Sequence, residues 1–169
     1  MKKSLLSKLF LAIVAALAGA AIACVNDLTA PVIEVNAARE EKEELEHIFP
    51  GGDFREIDGY TENDHILAVY EVKGKGYIVK ATAYGYNTGS PISVLVAFDE
   101  DGKTVALAPL SQQETSGYGS NCFEEDFIKA TYVGKTENDV IDAYAGATRT
   151  SEALRRIMEA AFEAVKEVR

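Results

Sequence analysis

Residues Ile92–Leu110 read ISVLVAFDEDGKTVALAPL, and their reading decides the fold. Two short apolar runs flank DEDGK, whose Asp101-Gly102 pair is a strong hairpin signal because glycine accepts the backbone angles a tight turn demands. Immediately upstream, Ile66–Val72 and Tyr77–Tyr84 flank Lys73-Gly74-Lys75-Gly76, a second hairpin by its glycines. Pro91 stands at the opening of the third run, where a missing N–H is tolerated. Four strands in two successive hairpins predict an antiparallel sheet.

Downstream the texture changes. Ser111–Cys122, SQQETSGYGSNC, is polar and glycine-spaced and predicts a loop. Short helices are predicted over Phe123–Thr131 and Glu137–Ala143. The last segment is clearer, because Leu154, Ile157, Met158, Ala161, Val165 and Val168 recur at three-or-four spacing and form one apolar helical face. That face should pack on the sheet, giving an α+β domain.

The amino terminus is of another kind. Residues 9–25, LFLAIVAALAGAAIACV, form an unbroken apolar run that as a helix spans about 26 Å, slightly short of a hydrocarbon core of about 30 Å. Lys2, Lys3 and Lys8 before it and Asp27 after it place the amino end in the cytoplasm and the domain outside. Ala15, Gly19 and Ala23 at four-residue spacing would let another transmembrane helix approach closely. A cleaved signal peptide is the alternative: Ala21-Ile22-Ala23 resembles a small-x-small cleavage site, and Cys24 makes a weak lipoprotein signal. The length of the run favours a retained anchor.

After it, TAPVIEVNAAREEKEELEHIFPGG predicts a helix opened by Thr29 and Pro31 and stopped at Pro50-Gly51-Gly52. Three regions follow: a membrane anchor over 1–28, a solvated helical stalk over 29–50, and an extracytoplasmic domain over 51–169.

Charge and cysteine content exclude several functions. The 169 residues carry a formal charge of −10, with 17 basic and 27 acidic side chains. So acidic a surface repels nucleic acid and anionic lipid. Cys24 and Cys122 are the two cysteines. They provide no four-thiolate cluster, haem-attachment motif or zinc spacing. His47 and His65 stand apart from each other, so no metal site is expected. An electron carrier built on this chain needs an organic cofactor.

The loop before the last helix invites one. Asp142–Arg156 reads DAYAGATRTSEALRR. Thr150 or Ser151 is a suitable N-cap and Glu152 suits the first turn. Thr148 then falls one or two residues ahead of the helix. An anion attached there would meet unpaired N–H groups and the positive end of the helix dipole, with Arg149, Arg155 and Arg156 near in sequence. Gly146 and its alanine neighbours leave room for a bulky group. Taken alone, these residues also describe an ordinary capped loop.

DAYAGAT (142–148) resembles the flavinylation motif D-x-x-S/T-G-A-T/S of the FMN-binding domain family. Among that family's members, the chain is most similar to the G subunits of Rnf electron-transport complexes, relatives of the C subunit of the sodium-translocating NADH:quinone reductase. The resemblance implies that Thr148 carries FMN through a phosphoester made by a separate flavin transferase using FAD. It makes Asp142 the motif acid, serving attachment or loop structure, and Gly146 and Ala147 the small pair. Ala145 departs from the family's usual hydroxyl residue.

A second segment, QQETSGYG (112–119), resembles the family's H-x-E-T-P-G-L-G, with Glu114, Thr115, Gly117 and Gly119 matching. Gln112, Ser116 and Tyr118 replace the histidine, proline and leucine. By resemblance these residues contact the isoalloxazine or ribityl chain, with Tyr118 available for stacking. Lys135, in GKTENDVIDA, is a further candidate for a flavin phosphate or carbonyl.

The implied function is a membrane-anchored redox component, not catalytic alone, relaying electrons among integral-membrane subunits of an ion-translocating complex. The alternatives are a stand-alone extracytoplasmic FMN carrier and a non-redox binding lipoprotein.

Overall fold

Residues 2–61 and 63–169 are described in the computed structural model. Met1, where the expected anchor begins, lies outside them, as do the side chains of Lys2 and Lys3 on which the expected orientation partly rests.

Helix α1 runs from Lys2 to Ile48. Its apolar side chains between Leu9 and Val25 are exposed, and it is long and apolar enough to cross a membrane. The helix opening expected at Thr29–Pro31 does not occur. Thr29 Oγ1 instead donates back to the carbonyls of Val25 at 2.9 Å and Asn26 at 3.3 Å. A threonine so engaged is a mid-helix residue rather than a cap. Pro31 sits inside the helix, where it removes one donor without ending the run. The end falls at the expected punctuation: Gly51 takes φ of 65°, and its N–H meets Glu46 Oε1 at 2.8 Å.

The chain divides into two compact units, 1–40 and 41–169. The second contains a five-stranded antiparallel sheet in sequence order: β1 (Phe54–Glu56), β2 (Ile66–Val72), β3 (Gly76–Ala83), β4 (Ile92–Phe98) and β5 (Thr104–Ser111). Both predicted hairpins are present. At the second turn Asp99 Oδ1 accepts the N–H groups of Asp101 at 3.0 Å and Lys103 at 2.8 Å, and Gly102 adopts φ of 78°. Strand β1 is too short for a period-two pattern, and the sequence alone did not reveal it.

Register explains the core. Val69, Val79, Val96 and Leu107 stand opposite one another across β2–β5 and belong to one buried cluster with α3 (Thr148–Val168). Their chain neighbours Tyr70, Ile78, Ala97 and Ala106 form the opposite row. That row packs with Leu45, Ile48 and Phe49 from the last turn of α1 and the residue after it. A sheet covered on both faces needs central strands apolar on both sides, so β4 is almost continuously buried.

The expected face of α3 is the buried one: Leu154, Ile157, Met158 and Ala161 are wholly inaccessible. Burying each of the larger three contributes about 1.5–3 kcal/mol. Phe98 and Phe162 meet edge to face at 5.2 Å.

Between sheet and helix lie a short 3₁₀ turn, Gly119–Phe123, and α2, Glu125–Thr131. The helix expected over Glu137–Ala143 is absent. Asp139 Oδ2 instead accepts from the N–H and hydroxyl of Thr136 at 2.8 and 2.7 Å, closing a local turn that competes with helix formation. These bonds hold the Asp139 carboxyl below its ordinary range. Val140 is 80% exposed, so this stretch has no buried face to stabilise a helix.

Candidate functional site

The site forms at one end of the sheet. Ala83 stands opposite Ile92, and Ser93 opposite Ser111. The end of β3, the start of β4 and the end of β5 therefore share that end. The segments leaving it, 84–91 and 112–118, meet the start of α3 there.

Glu114 joins them. Its side chain is buried, yet both oxygens are engaged. Oε2 accepts the Tyr86 N–H at 3.1 Å and the Thr150 hydroxyl at 2.5 Å, and Oε1 accepts the Asn87 N–H at 3.1 Å. Its own N–H donates to Gln112 Oε1 at 2.8 Å. A buried carboxylate needs such donors to offset its desolvation. The surroundings are close: a Cβ on Gly119 would lie 2.7 Å from Thr150 Oγ1 and 2.8 Å from Glu114 Oε2. Arg156 adds a tie between α3 and the first segment, its Nη2 donating to the Tyr84 carbonyl at 3.0 Å.

The start of α3 differs from expectation. Ala147 is the N-cap residue and no side chain caps the helix. Thr150 and Ser151 are otherwise employed: Thr150 donates to Glu114, and Ser151 Oγ accepts the Tyr144 N–H at 2.9 Å. Ser151 Oγ also stands 3.8 Å from the buried Cys122 sulfur. The helix thus begins at Thr148, which is exposed and occupies the first helical position. Glu152 falls beyond the first turn, which contains no acid. The first-turn N–H groups have no carbonyl to pair with inside the helix.

A cavity of about 450 Å³ opens here, within the usual range of about 300–1,000 Å³ for small-ligand sites. Gly146, Ala147, Thr148, Arg149 and Thr150 line it from the helix start. Thr115, Tyr118 and Gly119 line it from the polar loop, and Tyr86 from the segment after β3. Arg149 is the charged residue among them. Arg155 is engaged by Glu159 at 2.5 Å. The room beside the exposed Thr148, the uncapped helix start and the aromatic side chains suit a planar ligand bearing a phosphate.

The candidates from sequence fall into three groups. Thr148, Gly146, Ala147, Thr115, Tyr118 and Gly119 come together around the cavity. Glu114 and Gly117 support it without lining it. Gly117 takes φ of 77° in the loop turn, where Tyr118 N–H meets the Thr115 carbonyl at 3.1 Å. Asp142 and Lys135 are not among the lining residues. Asp142 is exposed on the approach to α3. Lys135 pairs by its carbonyl with the Thr104 N–H at 2.9 Å, at the opposite end of β5 from Ser111. A strand of that length puts about 20 Å between the two ends.

Tyr86 was not singled out from sequence. The signal that finds it is the Tyr84-Gly85-Tyr86 stretch after an apolar strand, where a glycine has little room. A Cβ on Gly85 would lie 2.8 Å from both Glu114 Oε1 and Ile92 Cδ1. Among the described residues, no three His, Cys, Asp or Glu side chains group into a set able to hold a metal ion.

The profile of a family described as "FMN-binding domain" matches residues 85–163, a span that contains the whole cavity lining. The G subunit of a proton-translocating ferredoxin:NAD(+) oxidoreductase complex from Clostridium ljungdahlii is 30% identical over 160 residues. The match covers 88% of this chain and 84% of that protein.

Proposed function

The chain belongs to the FMN-binding domain family, and from that premise we propose that it is a membrane-anchored flavoprotein component of an Rnf-type ion-translocating electron-transport complex, with FMN joined through its phosphate to Thr148. The observation that carries this reading is the cavity lined by an exposed threonine at the uncapped start of a 21-residue helix.

Each residue then has a task. Thr148 would carry the FMN phosphate as a phosphoester on its side-chain oxygen. A flavin transferase would supply the group from FAD, and Asp142 would serve the transferase's chemistry or the loop it grips. The first-turn N–H groups and Arg149 would hold the phosphate, a helix-end interaction of about 0.3–2 kcal/mol. Gly146, Ala147 and Gly119 keep the bed shallow, while Thr115 and Tyr118 border it. Glu114 holds the three segments in register. Bound FMN supplies one- or two-electron transfer.

The apolar part of α1 holds the domain at the membrane, with the amino end cytoplasmic and the FMN domain outside. Integral-membrane subunits of the complex are its electron partners. The similarity to a component of a ferredoxin:NAD(+) oxidoreductase complex supports this assignment.

The test is the mass of the tryptic peptide Thr136–Arg149 from protein made with an active transferase. The expected peptide is heavier by one FMN less one water, and Thr148→Ala removes the increment. An unmodified peptide from native cells refutes the covalent reading. Isolation in mild detergent without membrane subunits refutes the complex.

A further inference from the structure

We propose that Tyr86 is an aromatic wall of the flavin site, lying on the isoalloxazine ring and quenching its fluorescence; this rests on the FMN assignment above. Four observations converge on the residue. Tyr86 lines the same cavity as Thr148 and Tyr118 although it comes from a different segment. Tyr86 is 63% exposed, as is Tyr118, leaving aromatic surface for a planar ligand to cover.

The backbone beneath it is held rigidly. Glu114 accepts the N–H groups of Tyr86 and of Asn87, each at 3.1 Å, and Gly85 has no space for a side chain. The Tyr86 hydroxyl, in contrast, has no hydrogen-bond partner among the described residues. A buried carboxylate thus fixes the main chain of a segment whose ring is left free. A tyrosine presented in this way orders only two side-chain torsions when a ligand arrives. Tyr84 is the internal comparison: it is 56% exposed but does not line the cavity.

The chemistry suits a flavin. A phenol is electron-rich and the oxidised isoalloxazine electron-poor, so offset stacking is favourable. In contact, the excited flavin takes one electron from the phenol and returns it without net reaction, which shortens the emission. Phenylalanine keeps the stacking surface but is a far poorer donor.

The experiment uses full-length chain in detergent, flavinylated in cells, with FMN occupancy measured by intact mass. Flavin fluorescence per attached FMN is compared among wild type, Tyr86→Phe, Tyr86→Leu and Tyr84→Phe. Tyr86→Phe and Tyr86→Leu should each brighten the flavin about twofold or more, Tyr118 remaining as the other aromatic neighbour. Only Tyr86→Leu should also increase quenching by iodide, and Tyr84→Phe should match wild type.

Wild-type brightness in fully occupied Tyr86→Phe overturns the proposal, as does an equal rise in Tyr84→Phe. If wild type carries no FMN mass, the attachment reading fails, and free FMN titrated onto the same four chains decides Tyr86. Weaker quenching by Tyr86→Phe than by wild type then supports the wall, and equal quenching overturns it.

Discussion

Replacing Glu114 tests whether one carboxylate holds the site together. Glu114→Ala removes the acceptor for the Tyr86 and Asn87 N–H groups and for the Thr150 hydroxyl. An orphaned buried donor costs about 1–3 kcal/mol; the Thr150 hydroxyl bond is buried, and the two amide bonds are part-buried. The cavity beside them admits water, which recovers part of the loss, so a total of about 3 kcal/mol is expected. Glu114→Gln keeps one acceptor oxygen and loses chiefly one amide bond, at a cost of about 1 kcal/mol.

For a unit of this size about 1 kcal/mol corresponds to about 3–4 °C in Tm. The shifts expected are therefore about 10 °C for alanine and about 4 °C for glutamine. All eight tyrosines lie in the compact unit beginning at Glu41, and the chain has no tryptophan. The tyrosine band in near-ultraviolet circular dichroism of the full chain in detergent consequently reads that unit alone. A shift below about 3 °C for Glu114→Ala would refute the reasoning, because the three bonds would then be replaceable by solvent at almost no cost.

Thr148→Ala should leave stability within about 0.5 kcal/mol of wild type, because the side chain is exposed and caps nothing; urea denaturation of the unmodified chain checks it. Cys122 is wholly buried, and burial pushes its thiol up from the ordinary range. A thiol reagent should accordingly leave Cys122 unlabelled in native protein and label it only once the domain is unfolded. Glu167 accepts the N–H and hydroxyl of Thr61, and those bonds hold its carboxyl below the ordinary glutamate range. A carboxyl lowered in the folded state contributes stability that is fully present above its unfolded value, about 4.3, and is lost as pH falls through the lowered folded value. The gap in urea midpoint between wild type and Glu167→Ala should therefore be steady near neutrality and shrink in that acid window.

What was legible in the sequence was local in origin. Glycine-marked turns located the hairpins Lys73–Gly76 and Asp99–Lys103, and three-or-four spacing found the buried face of α3, because backbone freedom and periodicity act over a few residues. The motif DAYAGAT pointed to Thr148 on the same basis, as a contiguous string. The tertiary structure decided what depends on partners distant in the chain. Ser151 turns to the Tyr144 N–H and Thr150 to Glu114, so neither caps α3 and the helix opens at Thr148 itself. Lys135 is near the motif in sequence, but pairing with Thr104 holds it at the far end of β5. Thr29 and Pro31 look like a helix opening but lie inside one, since the bond from Thr29 to the preceding turn satisfies its hydroxyl there. Tyr86 becomes part of the site only because a buried carboxylate, contributed by another loop, takes hold of two adjacent amides. The Tyr84-Gly85-Tyr86 stretch marks the place along the chain but not its partner; the meeting follows from the sheet bringing the ends of β3 and β5 to one end.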